Sequence, residues 1–205
     1  MNRFYTFCHL FLSKLVCLLY RIEIIGAENE PDTGAYLVCA NHTSLMDPVI
    51  VGICLKKIQV HFMAKEELFK IPILGGIIKA LGAFPVNRGN NDIRAIKTTI
   101  DFLSKGNSVG IFPQGTRRKG VNPRFTEIKG GLGMCVYHAK CDVLPLAIVN
   151  RYGKVKAFKK NYVVIGKPIK YDELELNEGG KTQFKEASDK VFGRICDMWE
   201  EYGLK

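Results

Sequence analysis

Two hundred and five residues, 47% hydrophobic, 24% charged and 10% aromatic, suffice for one ordinary core and one domain. That composition excludes disordered, collagenous and coiled-coil chains. Thirty Lys and Arg against 20 Asp and Glu leave a net charge of +10, so the surface attracts anionic partners such as phosphate, lipid headgroups, nucleic acid or an acidic protein. The seven cysteines (Cys8, Cys17, Cys39, Cys54, Cys135, Cys141, Cys196) are odd in number and include no C-x-x-C. Most sit inside apolar runs, which reads as reduced thiols used as small hydrophobes.

The chain opens with an apolar stretch over residues 4–20, shorter than the roughly 20 residues a bilayer span prefers and interrupted by His9 and Lys14. Wound at about 100° per residue, it gathers Asn2, Thr6, His9, Ser13 and Tyr20 on one stripe. Phe4, Phe7, Cys8, Phe11, Leu15, Leu18 and Leu19 fall opposite. One basic residue, Arg3, precedes it and no A-x-A-like site follows, a poor fit to a cleaved signal peptide. Two readings stand: a helix packed on its own domain, or an amphipathic helix lying in the cytoplasmic membrane interface, which the positive charge favours.

Beyond it, short apolar β-branched runs recur at 22–25, 36–40, 60–63, 83–86, 109–112, 143–148 and 162–165, each with Gly, Pro, Asn or Asp nearby. Helical spacing lies between them, clearest at Ile93, Ile96, Ile100, Leu103 and at Phe184, Ala187, Val191, Ile195, Met198, Tyr202. Strands alternating with helices predict an α/β fold, a mostly parallel sheet covered by helices, with ligands gathered at strand ends. Gly179-Gly180-Lys181-Thr182 imitates the tail of a phosphate-binding P-loop, but Glu175 holds the position of its earlier glycine.

Three loops after strands carry candidate chemistry. In the first, Asn41 to Pro48, Asp47 before Pro48 suits a helix N-cap, with His42 as an ordinary turn residue. On one helix the two side chains would stand about 140° apart. With His42 in the turn and Asp47 at the helix start, the carboxylate can instead meet the imidazole, making a general base for an alcohol proton. In the second, Ile111 to Lys119, Gly115 allows close backbone approach, Thr116 offers a hydroxyl and Arg117 a two-pronged phosphate grip, or the segment is a solvated basic turn. The third, Gly82 to Arg88, delivers Arg88 to another strand end. Joined in one site, a base and several anion donors indicate a phosphorylated alcohol as substrate. Lys129-Gly130-Gly131 could present backbone N–H groups to an anion or simply allow close helix packing.

With these residues in place, the sequence resembles the glycerolipid acyltransferases, and among them the 1-acyl-sn-glycerol-3-phosphate (lysophosphatidic acid) acyltransferase family. The family's Asn-His, four residues, Asp signature reads Asn41-His42 to Asp47, and its Phe-Pro-Glu-Gly-Thr-Arg block reads Phe112-Pro113-Gln114-Gly115-Thr116-Arg117. Its arginine-ending block resembles Phe84 to Arg88, and its later proline-centred apolar block Val143 to Ile148. Gln114 replaces the usual glutamate, and Asn87 stands where aspartate is frequent.

The resemblance implies that Asp47 orients His42, and that His42 deprotonates the free hydroxyl of lysophosphatidic acid. The alkoxide then attacks an acyl thioester of coenzyme A or acyl carrier protein to give phosphatidic acid. Gly115, Thr116, Arg117 and Arg88 would hold the phosphate, and Lys65 matches a family lysine near the active site that could assist there. No metal or cofactor is implied. We therefore expect a membrane-associated helix over 1–20 and an acyltransferase domain over 21–205, bound peripherally or monotopically to the cytoplasmic face of the cell membrane. Glycerol-3-phosphate or another lysolipid is the alternative acceptor within this class. A non-catalytic basic module on membranes or nucleic acid is the alternative outside it. No nucleic-acid motif appears, and such a module has no need of His42 ahead of Asp47.

Overall fold

The computed structural model describes residues 3–86 and 92–203. Its first half runs α1 (Arg3–Leu19), β1 (Ile22–Ile25), β2 (Tyr36–Ala40), α2 (Asp47–Cys54), β3 (Val60–Lys65), the short α3 (Glu66–Phe69) and α4 (Leu74–Ala80), and β4 (Phe84–Val86). The second half runs α5 (Asp92–Ser104), β5 (Ser108–Ile111), α6 (Gly131–Ala139), β6 (Asp142–Val149), β7 (Asn161–Ile165) and α7 (Lys181–Gly203). Every apolar run expected as a strand is one.

The strands form one sheet in the order β1-β7-β6-β2-β5-β3-β4. All pairs are parallel except β6 with β7. This is the helix-covered, mostly parallel α/β architecture that the alternation implies. Side chains alternate faces along each strand, so two cores form. Leu37, Cys39, Val109 and Ile111 pack with Leu132, Val136, Val191 and Ile195 of α6 and α7. Val38, Ala40, Leu144 and Ile148 pack with Ile50, Val51 and Cys54 of α2. Described cysteines are free thiols, and burial pushes those of Cys135 and Cys141 up to about 12.

Register decides what meets at the strand ends. Cys39 of β2 lies opposite Ile111 of β5, so the loops three residues beyond, at His42 and Gln114, emerge side by side. Phe62 of β3 lies opposite Gly110. A Cβ at Gly110 would fall 2.1 Å from the Phe62 ring, so only glycine leaves that ring its place.

Helix α1 has two unlike sides. Tyr5 is buried and donates to Gly52 O at 3.2 Å, His9 Nε2 donates to Leu55 O at 2.9 Å, and Val16 is buried. Phe11, Leu15 and Leu18, members of the expected apolar face, are exposed, as is Leu10. The helix thus packs on its own domain through the side that carries His9 and leaves apolar side chains outward. Among the described residues no helix is long and apolar enough to cross a membrane.

Candidate active site

The loop after β2 reverses the chain so that Asp47, the first residue of α2, points back at the turn before it. Its Oδ2 accepts from Thr43 N at 2.6 Å, Ser44 N at 2.7 Å and His42 Nδ1 at 2.8 Å. The N-cap expectation for Asp47 is therefore corrected. Met46 holds that position without a side-chain cap, and the carboxylate caps the His42 turn, where three donors converge.

Asp47 is wholly buried and His42 is 8% exposed. The other carboxylate oxygen, Oδ1, is buried and accepts nothing among the described residues, so Oδ2 alone carries the arrangement. An oxygen already accepting two backbone N–H groups is an acceptor toward the ring as well. In the neutral imidazole the proton therefore sits on Nδ1, which leaves the lone pair on Nε2. Phe112 fixes the ring plane, stacked on it at 4.1 Å between centroids and 16° between planes.

The second loop grips the same histidine by its backbone. Gln114 Oε1 accepts from His42 N at 2.7 Å, and Arg118 N donates to His42 O at 2.8 Å. Gln114 Nε2 donates in turn to Thr126 Oγ1 at 2.8 Å, whose hydroxyl donates to Pro123 O at 2.6 Å. Gln114 is buried, and its two bonds use both faces of the amide. Asn41 clips the loop to the neighbouring strand, with Nδ2 donating to Ile148 O at 2.9 Å and Oδ1 accepting from Ile148 N at 2.7 Å. A buried chain reversal is tolerable because most of its polar groups are paired this way, Thr43 Oγ1 and Asp47 Oδ1 being the exceptions among the described residues.

Gly115 turns with φ +67, so the backbone opens at Gly115 and Thr116 onto a cleft of about 1100 Å³. Its floor is apolar, with Ile96, Phe112, Ile128, Leu132 and Phe184. Arg118, Lys129, Lys181 and Lys185 also line it, with the carboxylate-bearing Glu186 and the backbone of Gly130 and Gly131. A smaller apolar cavity of about 230 Å³ lies on the α1 and α2 face, lined by Tyr5, Leu12, Val49, Phe62, Leu68 and Ile78. Met63 borders both.

The structure thus pairs His42 with Asp47 and fastens His42 to the loop that carries Gly115 and Thr116; His42 and Asp47 do not themselves line the cleft, whereas Phe112, stacked on the His42 ring, does. Arg117, next to Thr116, is exposed and does not line the cleft, whereas Arg118 does. Lys65 ends β3, exposed, opposite Val86 of β4, and does not line the cleft. Arg88 lies outside the described residues. Sequence reasoning gave Asn41 no contact beyond its place in the signature, and passed over Thr126 and the backbone of Thr43 and Ser44. Of these only Asn41 left a signal, a polar residue directly after a fully apolar strand.

Residues 21–149 match the family model described as Acyltransferase. The 1-acyl-sn-glycerol-3-phosphate acyltransferase of Bacillus subtilis is 32% identical over 167 residues, 80% of this chain and 82% of that one. Its namesake in Streptococcus pneumoniae is 37% identical over 171 residues, 82% of this chain but 62% of the longer relative. The crystal structure of the 1-acyl-sn-glycerophosphate acyltransferase of Thermotoga maritima shares the fold, with a TM-score of 0.68 at 23% identity over 100% of this chain and 86% of that one. The chain belongs to the 1-acyl-sn-glycerol-3-phosphate acyltransferase family.

Proposed function

We propose that the protein transfers a fatty acyl group from an acyl thioester to the free hydroxyl of 1-acyl-sn-glycerol-3-phosphate, giving phosphatidic acid. The observation that carries this reading is the His42–Asp47 pair. An imidazole whose Nδ1–H is anchored to a buried carboxylate offers Nε2 as a base toward an alcohol. The acceptor hydroxyl gives its proton to Nε2 as its oxygen attacks the thioester carbon. Collapse of the tetrahedral intermediate breaks the C–S bond, and the departing thiolate takes the proton back from His42.

The basic wall of the cleft, with Gly115, Thr116 and the neighbouring Arg117, suits the glycerol phosphate, and the apolar floor suits a hydrocarbon chain. Lys65, at the end of β3 though outside the cleft lining, and Arg88, two residues after β4 in the sequence, would add positive charge toward the phosphate. Coenzyme A and acyl carrier protein are both anionic thioester carriers that this rim can receive, and we assign them as substrates. The exposed face of α1 suits the membrane surface on which the acceptor resides.

Purified protein in detergent, given a labelled acyl thioester and, in parallel, lysophosphatidic acid, glycerol-3-phosphate or lysophosphatidylcholine, tests the reading. Labelled phosphatidic acid, formed with lysophosphatidic acid alone, is the expected result. Transfer only to another acceptor overturns the substrate, and transfer to none, with either carrier, overturns the activity.

A further inference from the structure

Between β3 and β4 the chain makes a helical hairpin, α3 and α4, whose tip is Ile71-Pro72-Ile73-Leu74. Its inner side chains, Leu68 and Ile78, line the 230 Å³ apolar cavity, while Ile71, Leu74 and Ile77 are exposed and Ile73 is 82% exposed. Ile73 also has φ +67, a conformation that glycine takes freely and a β-branched residue resists. An isoleucine held in water in a glycine-like conformation serves neither the fold nor solubility. A medium that removes the side chain from water accounts for the exposure, and for an isoleucine standing where glycine would relieve the backbone. The hairpin is tight, since a Cβ on Gly75 would fall 2.2 Å from Phe69 O, so the tip is presented at a set angle.

The same cavity is lined by α1 and by Leu45 and Val49 around the start of α2, and these segments carry exposed apolar side chains too, among them Phe11, Leu18 and Leu45. Lys70 and Lys79 bracket the tip, both exposed. Their stems can lie along an apolar boundary while the ammonium groups reach lipid phosphates. Lys70 pairs with Glu66 at 3.6 Å, but both side chains are solvated, a weak bond that a phosphate can replace.

We propose that the α3–α4 tip is a second membrane-inserting element, separate from α1, that buries Ile71, Ile73 and Leu74 in an anionic phospholipid bilayer and seats the apolar cavity against it. Its purpose rests on the lipid acyltransferase reading; its test does not. The chain has one tryptophan, Trp199, so the difference between Ile73→Trp and wild type reports the tip. On vesicles of phosphatidylglycerol and phosphatidylcholine with brominated acyl chains, Ile73→Trp adds an emission that is blue-shifted and quenched. Ile73→Glu lowers partitioning onto the same vesicles without bromine by about tenfold, with turnover in detergent micelles unchanged. Ile73→Gly raises the melting temperature in lipid-free solution while also lowering partitioning, opposite signs that a purely structural role does not give. Quenching in a protein that shows no acyl transfer supports the tip and sinks the acyltransferase reading alone. Absent quenching with unchanged partitioning overturns the proposal, as does an Ile73→Glu variant that only converts a lipid-free dimer to monomer, which assigns the tip to a second copy.

Discussion

Around His42 the loop after β2 buries polar groups, while along α1 and the α3–α4 tip the chain exposes apolar ones. In the first region most of the contacts with water that are lost have replacements inside the chain: Asp47 Oδ2 serves three donors, Gln114 holds the backbone N–H of His42, and Asn41 closes on Ile148, while Asp47 Oδ1 and Thr43 Oγ1 are buried without a partner among the described residues. In the second region Phe11, Leu18 and Ile73 are left exposed by the described residues. A polar site held largely by bonds within the chain is positioned by the fold itself. An unsatisfied apolar face is complete only with an outside partner, and the partner we propose is the bilayer.

Substitutions sharpen this contrast. Asp47→Ala strikes the first region hardest, because it strands Thr43 N, Ser44 N and Nδ1 of His42 in a buried site. We expect about 1–3 kcal/mol of lost stability in urea unfolding, and turnover lowered by roughly 10²- to 10⁴-fold as the base loses its anchor. Asp47→Asn keeps an oxygen for the two backbone donors and should recover much of the stability but little of the turnover. Equal recovery of both would separate the carboxylate from the chemistry.

Gln114→Ala removes a buried acceptor and a buried donor at once, again about 1–3 kcal/mol in urea unfolding. Gln114→Glu should be far milder. The new carboxylate still accepts from His42 N, and Thr126 Oγ1 has only to turn its hydroxyl from Pro123 O to the carboxylate. Arg117→Ala, at an exposed position, should leave the melting temperature unchanged and raise the KM for lysophosphatidic acid about tenfold at constant kcat, the mark of a contact made equally in ground and transition states. The smallest effect belongs to the second region. Leu18→Ser should shift stability by less than about 0.5 kcal/mol, yet lower vesicle binding by a few fold.

The strands were legible because β-branched apolar runs between turn residues have few alternatives, and α5 and α7 because each repeats its apolar residues over several turns. The meeting of His42 with Asp47 was legible as a possibility of local geometry, one residue in a turn and one at a helix start. What sequence could not supply was adjacency. Nothing in the order of residues says that β2 lies between β5 and β6, so neither the Gln114 bond to His42 N nor the Asn41 clip to Ile148 was visible. Pro48 leaves an N-cap as the alternative reading for Asp47, and the three donors behind it draw the carboxylate the other way, to the pairing with His42. Helices α3 and α4 escaped because four and seven residues are too few to establish a period.

The most direct test of the central claim is product formation by His42→Ala beside wild type, with lysophosphatidic acid and an acyl thioester in detergent and the fold of both checked by circular dichroism. Loss of the phosphatidic acid product from a folded variant is the outcome this account predicts. Comparable turnover by folded His42→Ala and wild type would contradict it, leaving the buried pair a structural fastening of the loop after β2.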